Sequence, residues 1–194
     1  MRRATIAVAA VAALVLVTGC GTADPGPTGS PTESVSVAPS PTPTETPLAE
    51  PTQPPEMERD DEVGAVAAAE YFMELYEYVL KTGDDEAWSL ASGDECAFCS
   101  GLSDAVSARY ADDGRFERES PAVYADFSIV SHDDVAGIYR VELTFSSIGV
   151  TSVDEDGTIA STAGPEQGTL TLGVIPAARG WVLLGGSADV ESQS

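Results

Sequence analysis

Two rhythms in the chain predict an α+β fold. Up to about residue 111 apolar residues recur at spacings of three and four, and after about residue 115 they alternate with polar ones. Helices therefore come first and an antiparallel sheet follows, the arrangement in which N-terminal helices pack on one face of a sheet. A third observation sets the boundary: the composition ahead of residue 57 is Pro, Thr, Ser and Glu without apolar periodicity, so 57–194 is read as a single domain, long enough to bury its own core.

The first helix is predicted over Asp60–Lys81. Asp60 and Asp61 suit the positive end of its dipole and its cap. Val66, Ala69, Met73, Tyr76 and Leu80 form one apolar row, and Ala65, Ala68, Phe72, Leu75 and Val79 a second beside it. Glu70, Glu74, Glu77 and Lys81 fall on the solvated side, where Glu77 and Lys81 can pair four residues apart. Gly83 is the expected stop. A short helical turn over Asp85–Leu90 follows, capped by Asp84 and pointing Trp88 inward. A third helix over Ala97–Ala111 shares a face among Leu102, Val106 and Tyr110 and ends by Gly114.

The sheet begins where Val123, Ala125, Phe127 and Ile129 alternate with Tyr124, Asp126 and Ser128. Ser131-His132-Asp133-Asp134 reads as a turn, and Ile138 to Phe145 resumes the alternation. Asp154-Glu155-Asp156-Gly157 turns again. Thr169–Ile175 and Trp181–Leu184 are the last strands, with Pro176–Gly180 between them.

Ahead of the domain, Met1-Arg2-Arg3 and the uncharged apolar run Ala4 to Val17 have the layout of a secretory signal over 1–19, too short for a confident membrane span. The run ends in Leu16-Val17-Thr18-Gly19-Cys20, which resembles the lipobox of bacterial lipoproteins. That resemblance implies cleavage between Gly19 and Cys20, diacylglycerol on the Cys20 thiol, and a chain anchored in the bilayer on the outer face of the cell membrane. Residues 20–56 then read as the lipidated Cys and a disordered, partly polyproline tether.

Acidic residues outnumber basic ones 32 to 9, for a formal charge of -23. That balance argues against nucleic acid, because phosphate affinity needs clustered Lys and Arg, and it favours a basic partner in the cell envelope.

The order and lengths of the elements resemble the curved-sheet cone of the nuclear-transport-factor-like (SnoaL-like) superfamily, in which a long first helix crosses the sheet. A lipobox, a Pro/Thr-rich stalk, Ala68-Ala69-Glu70-Tyr71-Phe72 followed by Tyr76-Glu77-Tyr78, Thr82-Gly83-Asp84, Leu90 and Cys96-Ala97-Phe98-Cys99 together resemble a family of uncharacterised actinobacterial lipoproteins. That likeness implies an exported, anchored domain and no particular activity.

Cys96 and Cys99 are read as a structural disulfide at the start of the third helix. A thioredoxin-like redox pair is the alternative, but no strand precedes it and the neighbouring acids oppose a thiolate. A zinc site would need two further ligands in a chain with one His. His132 is read as a solvated turn residue, no serine-elbow pattern supplies it with a nucleophile, and no catalytic residue is assigned. The Asp154–Gly157 run resembles half of a calcium loop without the closing Glu, so a hairpin turn explains it and no metal site is assigned. In a cone, Tyr71, Phe72, Tyr76, Trp88, Tyr124 and Trp181 are candidates to wall a pocket for something small and apolar with a polar end, with Asp126 as the ionisable group inside. The leading functional reading is a non-enzymatic binding module without a cofactor. A cone-fold isomerase or dehydratase would require a buried Asp-His pair, and a thiol-disulfide protein an accessible Cys96.

Overall fold

The computed structural model describes residues 48–191. The signal segment, Gly19, Cys20 and the tether up to residue 47 lie outside the described residues. The expected tether ran to residue 56, yet its last part belongs to the domain: Leu48, Ala49 and Pro51 line a hollow beside the first helix, and Pro55–Glu58 form a 3-10 turn. The cause is visible in the apolar residues Leu48 and Met57 that bracket this stretch, Met57 being buried.

Helix α1 spans Glu62–Thr82. Asp61 caps it, its carboxylate accepting from the N–H groups of Val63 and Gly64 at 3.1 and 3.3 Å. Gly83 closes it in the left-handed region at φ 78°, donating to the Val79 carbonyl at 2.9 Å. Ala65, Ala68, Phe72, Leu75 and Val79 are fully buried, while Val66 and Tyr76 of the other row sit at the edge of the core. Gly64 is obligatory in space: a Cβ there would collide with the Arg59 carbonyl.

Helix α2 covers Glu86–Ala91 and α3 Ala97–Tyr110. Asp84 lies one position ahead of the observed α2 N-cap, Asp85, and accepts from the Glu86 N–H at 3.3 Å. Trp88 points inward and donates its indole N–H to the Cys99 carbonyl at 3.1 Å. The Cys96 sulfur caps α3, accepting from the Cys99 N–H at 3.1 Å. Tyr110 fastens the far end of α3 to α1 by donating to the Leu80 carbonyl at 2.9 Å.

Seven strands follow: β1 Arg115–Glu117, β2 Val123–Asp133, β3 Ile138–Ser147, β4 Val150–Val153, β5 Ile159–Ala163, β6 Glu166–Ala177 and β7 Gly180–Val190. They form two antiparallel sheets, ordered β2-β3-β6-β7 and β1-β4-β5. The larger sheet presents Ile129, Val141, Leu143, Leu170 and Leu172 to α1, with Ile129 opposite Val141 and Val141 opposite Leu172. α3 reaches the sheet at Gly186, where a side chain would meet the Phe98 ring at 3.0 Å.

The fold is α+β as expected, with three corrections inside the sheet. The segment Ser131–Asp133 continues β2, the turn falling at 134–137, so His132 is a strand residue rather than a turn residue. The segment Pro176–Gly180 is largely strand, β6 running to Ala177 and β7 starting at Gly180. The alternation in β2 is broken by a bulge between Ala125 and Ser128, where Asp126 takes φ 57°. Val123 therefore turns outward, and Tyr124 packs inward with Phe127 and Ile129.

Candidate ligand hollow

That bulge builds the site. Re-aimed by it, Tyr124 faces the stretch of α1 that carries Met73 and Glu77, and the connection from β1 to β2 brings Arg118 and Ala122 alongside. Together with Leu48 and Pro51 they line an open hollow of about 950 Å³, whose apolar wall includes Leu80, Phe116 and Phe127. A second hollow of about 230 Å³ lies behind, lined by Tyr76, Phe98, Phe145 and Leu170. Met73, Arg118, Ala122, Tyr124 and Val150 face both, so they form the partition.

The partition is polar at its centre. Arg118 Nη1 donates to both carboxylate oxygens of Glu77 at 2.8 Å, and the Tyr124 hydroxyl donates to Glu77 Oε1 at 2.8 Å. The Arg118 and Glu77 side chains are only 15 % and 17 % exposed, so their pairing is little screened by water. Burial, and then the neighbouring Glu77 charge, push Tyr124 far above the ordinary tyrosine range, which keeps it a neutral donor. Burial likewise raises Tyr76. Arg118 Nε is buried and has no hydrogen-bond partner among the described residues.

Of the residues expected to wall a pocket, the structure brings two together: Tyr124 at the partition and Tyr76 in the smaller hollow. Tyr71, Phe72, Trp88 and Trp181 are buried core and line neither. Trp181 instead donates its indole N–H to the carbonyls of Met57 and Arg59, each at 3.1 Å. Asp126 is not inside either hollow: it lies on the surface, on the polar side of β2, accepting from Thr144 Oγ1 at 2.9 Å. The paired ionisable groups at the partition are Glu77 and Arg118. The helix pattern alone puts Glu77 on the solvated face with Lys81 as its partner, whereas the fold turns it to Arg118 and Tyr124.

His132 stacks on Tyr139 with ring centroids 3.9 Å apart, its Nδ1 lies 3.2 Å from Asp134, and it lines neither hollow. Cys96 and Cys99 form a disulfide, and both are 3 % exposed, so the access a redox pair needs is missing. Asp154 pairs with Arg109, and Asp156 accepts from the Thr158 N–H at 2.9 Å, a turn that joins β4 to β5. Among the described residues no three His, Cys, Asp or Glu side chains come together as a metal site.

The model of a family of unknown function (DUF6318) matches residues 43–184. No curated protein matches the chain. Among solved structures, the intermembrane-space region of the chloroplast protein ARC6 is similar at TM-score 0.51 and 14 % identity, covering 69 % of this chain and 99 % of that one. A structure titled a putative aromatic ring hydroxylase from Novosphingobium aromaticivorans reaches 0.48 at 12 % identity, covering 69 % and 93 %. An uncharacterised protein with a cystatin-like fold from Caulobacter vibrioides reaches 0.41 at 12 % identity, covering 64 % and 88 %. At these identities the likeness to the first of them concerns the fold alone.

Proposed function

We propose, for a chain that belongs to the DUF6318 family of unknown function, that the domain is a non-enzymatic binding module, held outside the cell membrane by lipid on Cys20. The observation that carries the binding reading is the apolar hollow of about 950 Å³ with the Arg118–Glu77–Tyr124 cluster at its inner wall. Its size and its ratio of apolar wall to a few convergent polar groups suit a small organic ligand. Proton-transfer chemistry is less well supported. The Asp-His pair it requires does not meet in either hollow, and Tyr124 holds its proton too tightly to give it up near neutrality. The anchor rests on the Leu16–Cys20 segment, and the acidic surface suits a basic envelope partner.

Two measurements on the full chain test the two halves of this reading. N-phenyl-1-naphthylamine, a neutral apolar dye, should brighten saturably with the protein, and Ala122→Trp, which fills space beside both hollows, should abolish the effect. Absence of saturable binding overturns the ligand reading. Intact mass of protein taken from its own membranes should equal residues 20–194 plus lipid, and an unlipidated mass overturns the anchor.

A further inference from the structure

Arg118, which lines both hollows, carries a donor that has nothing to donate to among the described residues. Both hydrogen bonds from Arg118 to Glu77 run from Nη1, and among the described residues Nε is buried without an acceptor. A buried N–H on a charged group that loses its water and gains no partner bears the whole cost of desolvation. A ligand oxygen reaching that edge of the guanidinium recovers it. Nε is shut off from the hollow as the side chain stands, so a ligand oxygen reaches it by turning the guanidinium about its Nη1 contact with Glu77, and that turn is part of the inference.

Charge selects which oxygen. Glu77 already balances Arg118. Glu70, Glu74 and Glu119 line the larger hollow against Lys81, and Glu166 lines the smaller. A carboxylate or phosphate would add negative charge to a site that is net negative, in a chain of formal charge -23. An ammonium brings no acceptor and would approach a guanidinium. A carbonyl meets the donor without adding charge.

We propose that the hollow takes a neutral ligand whose ketone, ester or amide oxygen accepts from Nε of Arg118 while its apolar body lies against Met73, Phe116 and Phe127. This rests on the ligand-binding reading above and names the class of ligand.

Displacement of bound N-phenyl-1-naphthylamine from the full chain by four compounds tests it: butyrophenone, butylbenzene with the same carbon skeleton and no acceptor, 4-phenylbutyrate, and 4-phenylbutylammonium. Butyrophenone should displace the dye at about one-tenth the concentration butylbenzene needs, although it is the less hydrophobic of the two, and should surpass both ions. In Arg118→Met/Glu77→Gln, which removes the donor and its counter-charge together, that advantage should vanish while butylbenzene still competes. The Arg118 Nε–H resonance of the unaltered protein gives a second readout that does not depend on the variant folding, and it should shift with butyrophenone and stay in place with butylbenzene. Dye binding with no preference for the ketone, a preference for either ion, or an unmoved Nε–H resonance overturns the carbonyl inference and leaves the hollow standing. Failure of the dye to bind at all overturns the ligand reading itself.

Discussion

Glu77 shows how a residue's role is set by what the fold brings to it. From the helix alone it has Lys81 four positions away and reads as one half of a surface pair worth a few tenths of a kcal/mol. In the folded chain it holds Arg118 and Tyr124 in a place water hardly reaches. Glu77→Ala, which strands Arg118, should therefore cost about 3 kcal/mol in urea unfolding, and the paired change Arg118→Met/Glu77→Gln clearly less. Asp61 behaves differently because it is exposed. Hydrogen bonding from Arg59, with help from the Gly64 and Val63 N–H groups, lowers its pKa from 3.8 to about 2. Its folded-state value is depressed, so its contribution is present above pH 4 and lost as pH falls towards 2. Asp61→Ala should lower Tm at neutral pH, and the gap to the unaltered protein should close over that acid interval in a thermal melt. Of these residues the sequence shows Asp61, whose cap lies next to an apolar repeat. It does not show Arg118, which stands in a charged run with no period, nor the inward turn of Tyr124, which depends on a bulge that no turn residue announces.

Elements with a strong local rhythm could be read, and those without one could not. α1 has two apolar rows, an aspartate ahead and a glycine behind, and its observed span Glu62–Thr82 lies within two residues of the reading. β1, β4 and β5 were missed because they are three to five residues long, and every residue of β5 is exposed, so no buried face imposes alternation on it. β7 runs past the expected end at Leu184 to Val190, through Gly185-Gly186, and Gly186 is where the Phe98 ring of α3 rests. The disulfide acts on a single element, pinning the first turn of α3 across three positions. Cys96→Ser/Cys99→Ser should thus cost only about 2 kcal/mol on the loop-entropy account and leave the fold intact by circular dichroism. Gly64→Ala is the harsher change, because the Arg59 carbonyl has nowhere to retreat while Trp181 holds it. A loss of about 1–3 kcal/mol is expected in the same denaturation experiment.

At the scale of the molecule, charge and topology set the behaviour. With 32 acids against 9 bases the folded chain repels itself, so its Tm should rise as salt is raised to about 0.5 M. The indole of Trp181, in the last strand, holds the carbonyls of Met57 and Arg59 just ahead of α1, across 124 and 122 positions. Such a clasp has a temporal side. A chain emerging N-terminus first, from a ribosome or through a narrow channel, exposes α1 long before its fastening exists, and the apolar rows of that helix must wait uncovered until β7 arrives. The domain is thereby committed to folding after the last strand is released, late and nearly all at once.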